Sequence, residues 1–141
     1  MRFAAMTGAI GFALCAAAAQ ADGPLALDNP VIVSGIETVC TGIAQTRDDP
    51  RWTAYPVRIE FSNTAAQLVA GAHVVLTKAG GAKLAEFDCP ASIVLFKLSP
   101  GGYKVTATIR PTPRGTVSAE FDSPAKGQKR VELQFKGAAS D

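Results

Sequence analysis

From Pro56 onward, apolar and polar residues change places at almost every step, and that period of two confines the chain to strands. Val57, Ile59 and Phe61 alternate with Arg58, Glu60 and Ser62, and Val74 and Leu76 are flanked by His73 and Thr77. Tyr103, Val105, Ala107 and Ile109 alternate with Lys104, Thr106, Thr108 and Arg110. Val117, Ala119 and Phe121 repeat the pattern, as do Val131, Leu133 and Phe135. In an extended backbone successive side chains point to opposite faces, so each apolar set lines one side of a sheet and each polar set the other. KLAEFD at 83–88 and SIVLFKL at 92–98 keep the pattern less cleanly. The second run is apolar on both faces, as a strand covered from two sides would be. Val31 to Val33 reads as the first strand.

The punctuation between these runs is that of turns. Ala79-Gly80-Gly81 suits a hairpin. Ser99-Pro100-Gly101-Gly102, the 110–115 stretch and Ser123-Pro124-Ala125-Lys126-Gly127 combine proline, which presets φ, with glycine, which supplies positive φ. About seven short strands with turns at this spacing predict an all-β, antiparallel Greek-key sandwich, prealbumin-like or Ig-like, with its apolar stripes buried between two layers.

The 141 residues make one domain, too short for a TIM barrel or a two-domain catalyst. A net charge of +2 lacks the basic excess of a nucleic-acid binder, and no nucleic-acid partner is expected. The start is different in kind. One arginine precedes an apolar run without acids that ends in Ala19-Gln20-Ala21, the small-x-small pattern of a secretory leader. Residues 1–21 are therefore expected to be a signal peptide cleaved after Ala21, followed by a linker at 22–30, the sandwich at 31–136 and a tail at 137–141. A periplasmic or secreted protein follows, with no integral membrane segment after cleavage. Cys40 and Cys89 are then the remaining cysteines, and export favours their oxidation to a disulfide; the competing arrangement is two buried free thiols. Their separation has neither redox nor metal-ligand spacing.

QTRDDPRWTAY at 45–55 breaks the alternation. Asp48 or Asp49 is placed to cap a helix with Pro50 in its first turn, and Trp52 and Tyr55 would share a face. One short helix near 48–55, laid against an open edge of the sandwich, is the expectation. Arg47, Asp48, Asp49, Arg51, Trp52 and Tyr55 are the candidate binding residues, because charge and aromatic surface concentrate here. The aspartates lack the companions of a calcium loop. The two aromatics either pack the segment onto the sheet or offer a stacking platform to a sugar.

No catalytic cluster is legible. His73 is the single histidine, phased to an outer sheet face, and no serine sits in a nucleophile elbow. Metal ligands and a phosphate loop are likewise lacking, so no cofactor is expected. A small hydrolase around His73 is the remote enzymatic alternative.

The stretch GAHVVLTKAGGAKLAEFDCPASIVLFKLSPGGYKVTATI resembles the carboxypeptidase regulatory-like domains of exported bacterial proteins. The likeness rests on the AHVVLT strand, the AGGAKL turn, and LFKLSPGGYKVTATI, with Leu98, Pro100, Gly101 and Tyr103 at the turn and strand start. YPVRIEFS stands where such proteins place an upstream strand. The resemblance implies a prealbumin-like or transthyretin-like seven-stranded sandwich that docks or binds and does not cleave peptides. A related-fold enzyme, 5-hydroxyisourate hydrolase, needs several histidines and a C-terminal Tyr-Arg-Gly-Ser, which the ending Gly137-Ala138-Ala139-Ser140-Asp141 does not supply. The expected function is a non-enzymatic binding module of the bacterial cell envelope, acting on an envelope protein or glycan by surface recognition or strand addition. A carbohydrate-binding module using Trp52 and Tyr55 is the alternative.

Overall fold

The computed structural model describes residues 23–109 and 115–136. The expected leader at 1–21, most of the turn at 110–115 and the tail at 137–141 lie outside the described residues. The strands are β1 (Val31–Val33), β2 (Ile36–Thr41), β3 (Val57–Asn63), β4 (Ala72–Lys78), β5 (Lys83–Cys89), β6 (Ile93–Phe96), β7 (Gly101–Ile109), β8 (Thr116–Ser123) and β9 (Lys129–Phe135). They form a five-stranded sheet in the order β1-β2-β6-β3-β9 and a four-stranded sheet in the order β5-β4-β7-β8. Among the described residues no helix is long and apolar enough to cross a membrane.

The sandwich reading holds, but two details of the expectation are corrected. The described residues contain nine strands, not seven, and β3 pairs with β9 in parallel, so the pairing is not purely antiparallel. Eight of the nine fall on runs read above as strands, the short Val31–Val33 included, and the ninth, β2, is the one the pattern does not show. Its residues are buried on both faces at Val39 and Cys40, which erases the apolar–polar alternation. It follows β1 through a tight turn in which Ser34 (φ 49°) and Gly35 (φ 84°) both adopt the left-handed conformation that suits a two-residue hairpin. The parallel pair leaves no trace in a period-two pattern, since alternation records faces and not direction.

The main core lies between the sheets. Val74, Leu76, Phe87 and Val105 of one sheet meet Ile59, Phe61, Val94, Phe96 and Leu133 of the other. Phe87 and Phe96 meet edge to face across the gap, with ring centroids 5.9 Å apart. Residues 24–28 also belong to the fold. Leu25 is buried and its N–H donates to Asp88 O at 3.0 Å, and the Asp28 N–H donates to Cys40 O at 2.9 Å.

A disulfide joins Cys40 on β2 to Cys89 on β5, so it clips one sheet to the other. Closing a loop of 49 residues constrains the unfolded chain by about 4 kcal/mol in the chain-entropy account. Both sulfurs sit in the main core and are buried. We therefore expect a Cys40→Ala/Cys89→Ala double variant to lose about 2–5 kcal/mol of unfolding free energy, measured by urea denaturation. A loss below about 1 kcal/mol would show that the clip is incidental.

Candidate functional site

The charged, aromatic stretch at 44–55 forms two 3-10 turns, Ala44–Asp48 and Pro50–Ala54, in place of one helix. Asp49 interrupts them and starts the second. Its carboxylate accepts the Arg51 N–H at 2.9 Å, with Pro50 behind it as the first residue. The segment does not lie along an edge. It covers the outer face of the five-stranded sheet, where Trp52 and Tyr55 pack with Val39, Ile93 and Leu95 as a second, smaller core.

Several strands pin this cover in place. The Trp52 indole N–H donates to Thr46 O at 2.7 Å, which closes the segment on itself. Gln128, just before β9, donates to the carbonyls of Trp52 (2.8 Å) and Tyr55 (2.9 Å). Arg58 on β3 is almost fully buried, donates to Arg47 O at 3.2 Å and pairs with Glu60 at 2.9 Å. Burial pushes the Glu60 carboxyl up, but hydrogen bonds from Arg130 and Arg58 outweigh it and hold the group below the ordinary carboxylate range. Burial, helped by a hydrogen bond to Glu37, pushes the Tyr55 phenol up to about 12. Lys97 bonds the same Glu37 at 3.3 Å and lies 5.4 Å from the centre of the Tyr55 ring.

These contacts decide what the candidate binding residues do. Trp52 and Tyr55 are only 2% and 5% exposed, so neither ring is a platform for a sugar. The Arg51 guanidinium lies 4.7 Å from the centre of the Trp52 ring. Asp49 is engaged with Arg51 through the backbone N–H and through Nε and a terminal nitrogen at 3.1 and 3.0 Å. Arg47 and Asp48 remain exposed, in a loose pair at 4.0 Å. Of the two roles open to Trp52 and Tyr55, the packing of the segment onto the sheet is the one their burial shows.

His73 lies on the outer face of β4, between two carboxylates of the neighbouring β5. Its Nδ1 is 2.6 Å from Asp88 and its Nε2 is 3.1 Å from Glu86. Two carboxylates on two ring nitrogens call for a proton on each, which is the imidazolium form. The hydrogen bonds that His73 donates to Asp88 and then to Glu86 accordingly raise its pKa above the ordinary value. Glu86 is lowered by its bonds to His73 and Lys83. A ring so engaged has no lone pair to accept a nucleophile's proton.

The sheet edges differ in how they are closed. β1 is three residues long. β5 is flanked at Asp88 by residues 24–25, through a bridge from Pro24 and the Leu25 N–H. β9 starts with Lys129 and Arg130, and such basic residues discourage edge pairing. β8 is neither short nor flanked nor basic, and its charged residues are the acids Glu120 and Asp122. Its eight residues, TVSAEFDS, contain no proline, lysine or arginine and stay in unbroken register with β7 from Thr116 to Ser123. It ends the sheet order, so among the described residues no strand pairs with its outer side. Its inward residues Val117 and Ala119 are only half-buried, while Val105 and Ala107 on the adjacent β7 are fully buried. The sequence reading recognised this strand but not its position at an edge. The available signal was the contrast between TVSAEFDS and the basic KRVELQF of β9.

A scan against protein-family models finds no match, and searches of curated proteins and of solved structures find none either.

Two outcomes are expected. Trp52→Ala should destabilise the fold by about 3–5 kcal/mol and Trp52→Phe by much less, both read from urea unfolding. A cost near zero for the alanine would mean that the 44–55 segment is not part of the core. The second concerns pH. Because the folded His73 pKa is raised, its contribution is complete below the unfolded value of 6.5 and is lost as pH rises through the folded value. At the acid end the Glu86 contribution fades as pH falls below its ordinary 4.5. Urea midpoints should therefore decline above neutral pH in the parent chain but not in His73→Gln. Parallel profiles for the two proteins would refute the imidazolium clamp.

Proposed function

We propose that the chain is a non-enzymatic, exported β-sandwich module of the bacterial cell envelope, periplasmic or secreted, that binds a protein partner by accepting an extended segment along β8. The observation that carries this reading is the open side of β8: a full-length, regular strand with unpaired backbone groups beside a half-buried apolar strip. Such an edge offers main-chain hydrogen bonds for affinity and alternate side-chain positions for selectivity.

Other observations support the remaining parts. The small-x-small leader pattern and the disulfide between the sheets suit an oxidising compartment. The double engagement of His73 speaks for a structural histidine and against a hydrolytic base. Strands β3 to β9 by themselves make a seven-stranded sandwich of orders β6-β3-β9 and β5-β4-β7-β8, with the β1–β2 hairpin added beside β6. That arrangement favours the likeness to carboxypeptidase regulatory-like domains and a Greek-key, prealbumin-like core. A glycan partner loses its main support with the burial of Trp52 and Tyr55.

The test places a photo-crosslinking side chain at Ser118 on β8 and, separately, at Asp48, in the full chain expressed and exported in cells. The reading expects adducts at Ser118 that map to one extended stretch of a partner protein, with none at Asp48. Adducts confined to Asp48 would contradict it.

A further inference from the structure

We infer that the segment accepted along β8 alternates apolar with basic residues, its lysines or arginines standing beside Glu120 and Asp122. This rests on the strand-addition reading above and adds the chemistry of the incoming strand.

The outer face of β8 presents Thr116, Ser118, Glu120 and Asp122, all exposed. The two hydroxyls are already engaged with β7, Thr116 with Thr108 at 3.0 Å and Ser118 with Thr106 at 2.8 Å. The two carboxylates are not. Among the described residues every other carboxylate has a side-chain partner. Asp28 accepts from Thr41, Glu37 pairs with Lys97, Asp48 with Arg47 and Asp49 with Arg51. Glu60 pairs with Arg58 and Arg130, Glu86 and Asp88 hold His73, and Glu132 accepts from Ser62. Glu120 and Asp122 alone make no such contact, although Lys104 stands opposite Glu120 in the β7–β8 register.

Their placement sets the pattern of the partner. Glu120 and Asp122 are two residues apart, so both point to the same face and a neighbouring strand would meet them with positions i and i+2. Opposite charges in such cross-strand positions stabilise a pair and like charges oppose it. On the other face Val117 and Ala119 are half-buried, so the intervening positions of the incoming strand would extend the core with apolar side chains. An acidic strand would meet two carboxylates that have no ion-pair partner among the described residues, which selects against it.

The experiment uses two capped nine-residue peptides, one alternating valine with lysine and the other valine with glutamate. Each is titrated against the full chain at low ionic strength, with amide exchange of β8 followed in parallel. The lysine peptide should slow exchange along β8 and bind about tenfold more tightly than the glutamate peptide, with the difference shrinking in high salt. Glu120→Lys/Asp122→Lys should reverse the order, and Glu120→Gln/Asp122→Asn should abolish the preference. Equal protection of β8 by both peptides overturns the charge inference while strand addition stands. If neither peptide protects β8, strand addition itself falls, and the charge inference with it. Protection that follows protein concentration alone identifies a second copy of the chain as the occupant and overturns the basic-partner inference.

Discussion

The fold depends on one short strand being buried from both sides. Ile93, Val94, Leu95 and Phe96 of β6 are all fully inaccessible to water. Val94 and Phe96 face the main core, while Ile93 and Leu95 face outward into the smaller one. Leaving that outer pair in water would forfeit about 1.5–3 kcal/mol for each side chain. A sheet with an apolar outer face needs a third layer, and the chain supplies it from residues 44–55. Trp52 and Tyr55 are the anchors of that layer, so the most conspicuous charged and aromatic stretch of the sequence is committed to packing.

That commitment organises the surrounding polar contacts. Arg58 is buried on β3 because it reaches the Arg47 carbonyl of the covering segment while pairing with Glu60. Gln128 ties the far end of the segment to the start of β9. Glu37, Tyr55 and Lys97 close the remaining side. Together with the Cys40–Cys89 bridge, these contacts tie β2, β3, β5, β6 and β9 to one another or to the cover. β8, like β4 and β7, receives none of them; it is held by its register with β7, by the Ser123 hydroxyl donating to Leu98 O at 3.0 Å and by Phe121 stacked on Tyr103, while its outer side stays open.

The legible part of the sequence was the part written in alternation. Val57 to Ser62, Tyr103 to Ile109 and Val131 to Lys136 announce their strands because one face of each is polar. SIVLFKL was readable as a doubly covered strand for the same reason in reverse. β2 was not legible, because IETVCT turns Ile36 and Cys40 toward the main core and Val39 into the smaller one, with Thr38 and Thr41 buried beside them, and so shows no apolar–polar period. Asp49 and Pro50 signalled a helical start, yet local spacing cannot say whether a segment lies on a face or along an edge. That depends on contacts with residues some forty positions away, Ile93 and Leu95. Edge position is equally non-local: TVSAEFDS reads as a strand wherever it stands, and only the pairing order makes Glu120 and Asp122 a face without a partner.

Native-state hydrogen exchange on the full chain without a partner tests this division of labour most directly. The account predicts that the Trp52 indole N–H and the β6 amides exchange only through global unfolding. Alternate amides of β8, those directed away from β7, should exchange close to the rate of an unstructured chain. An indole that exchanges freely beside a β8 protected along its whole length would contradict the account.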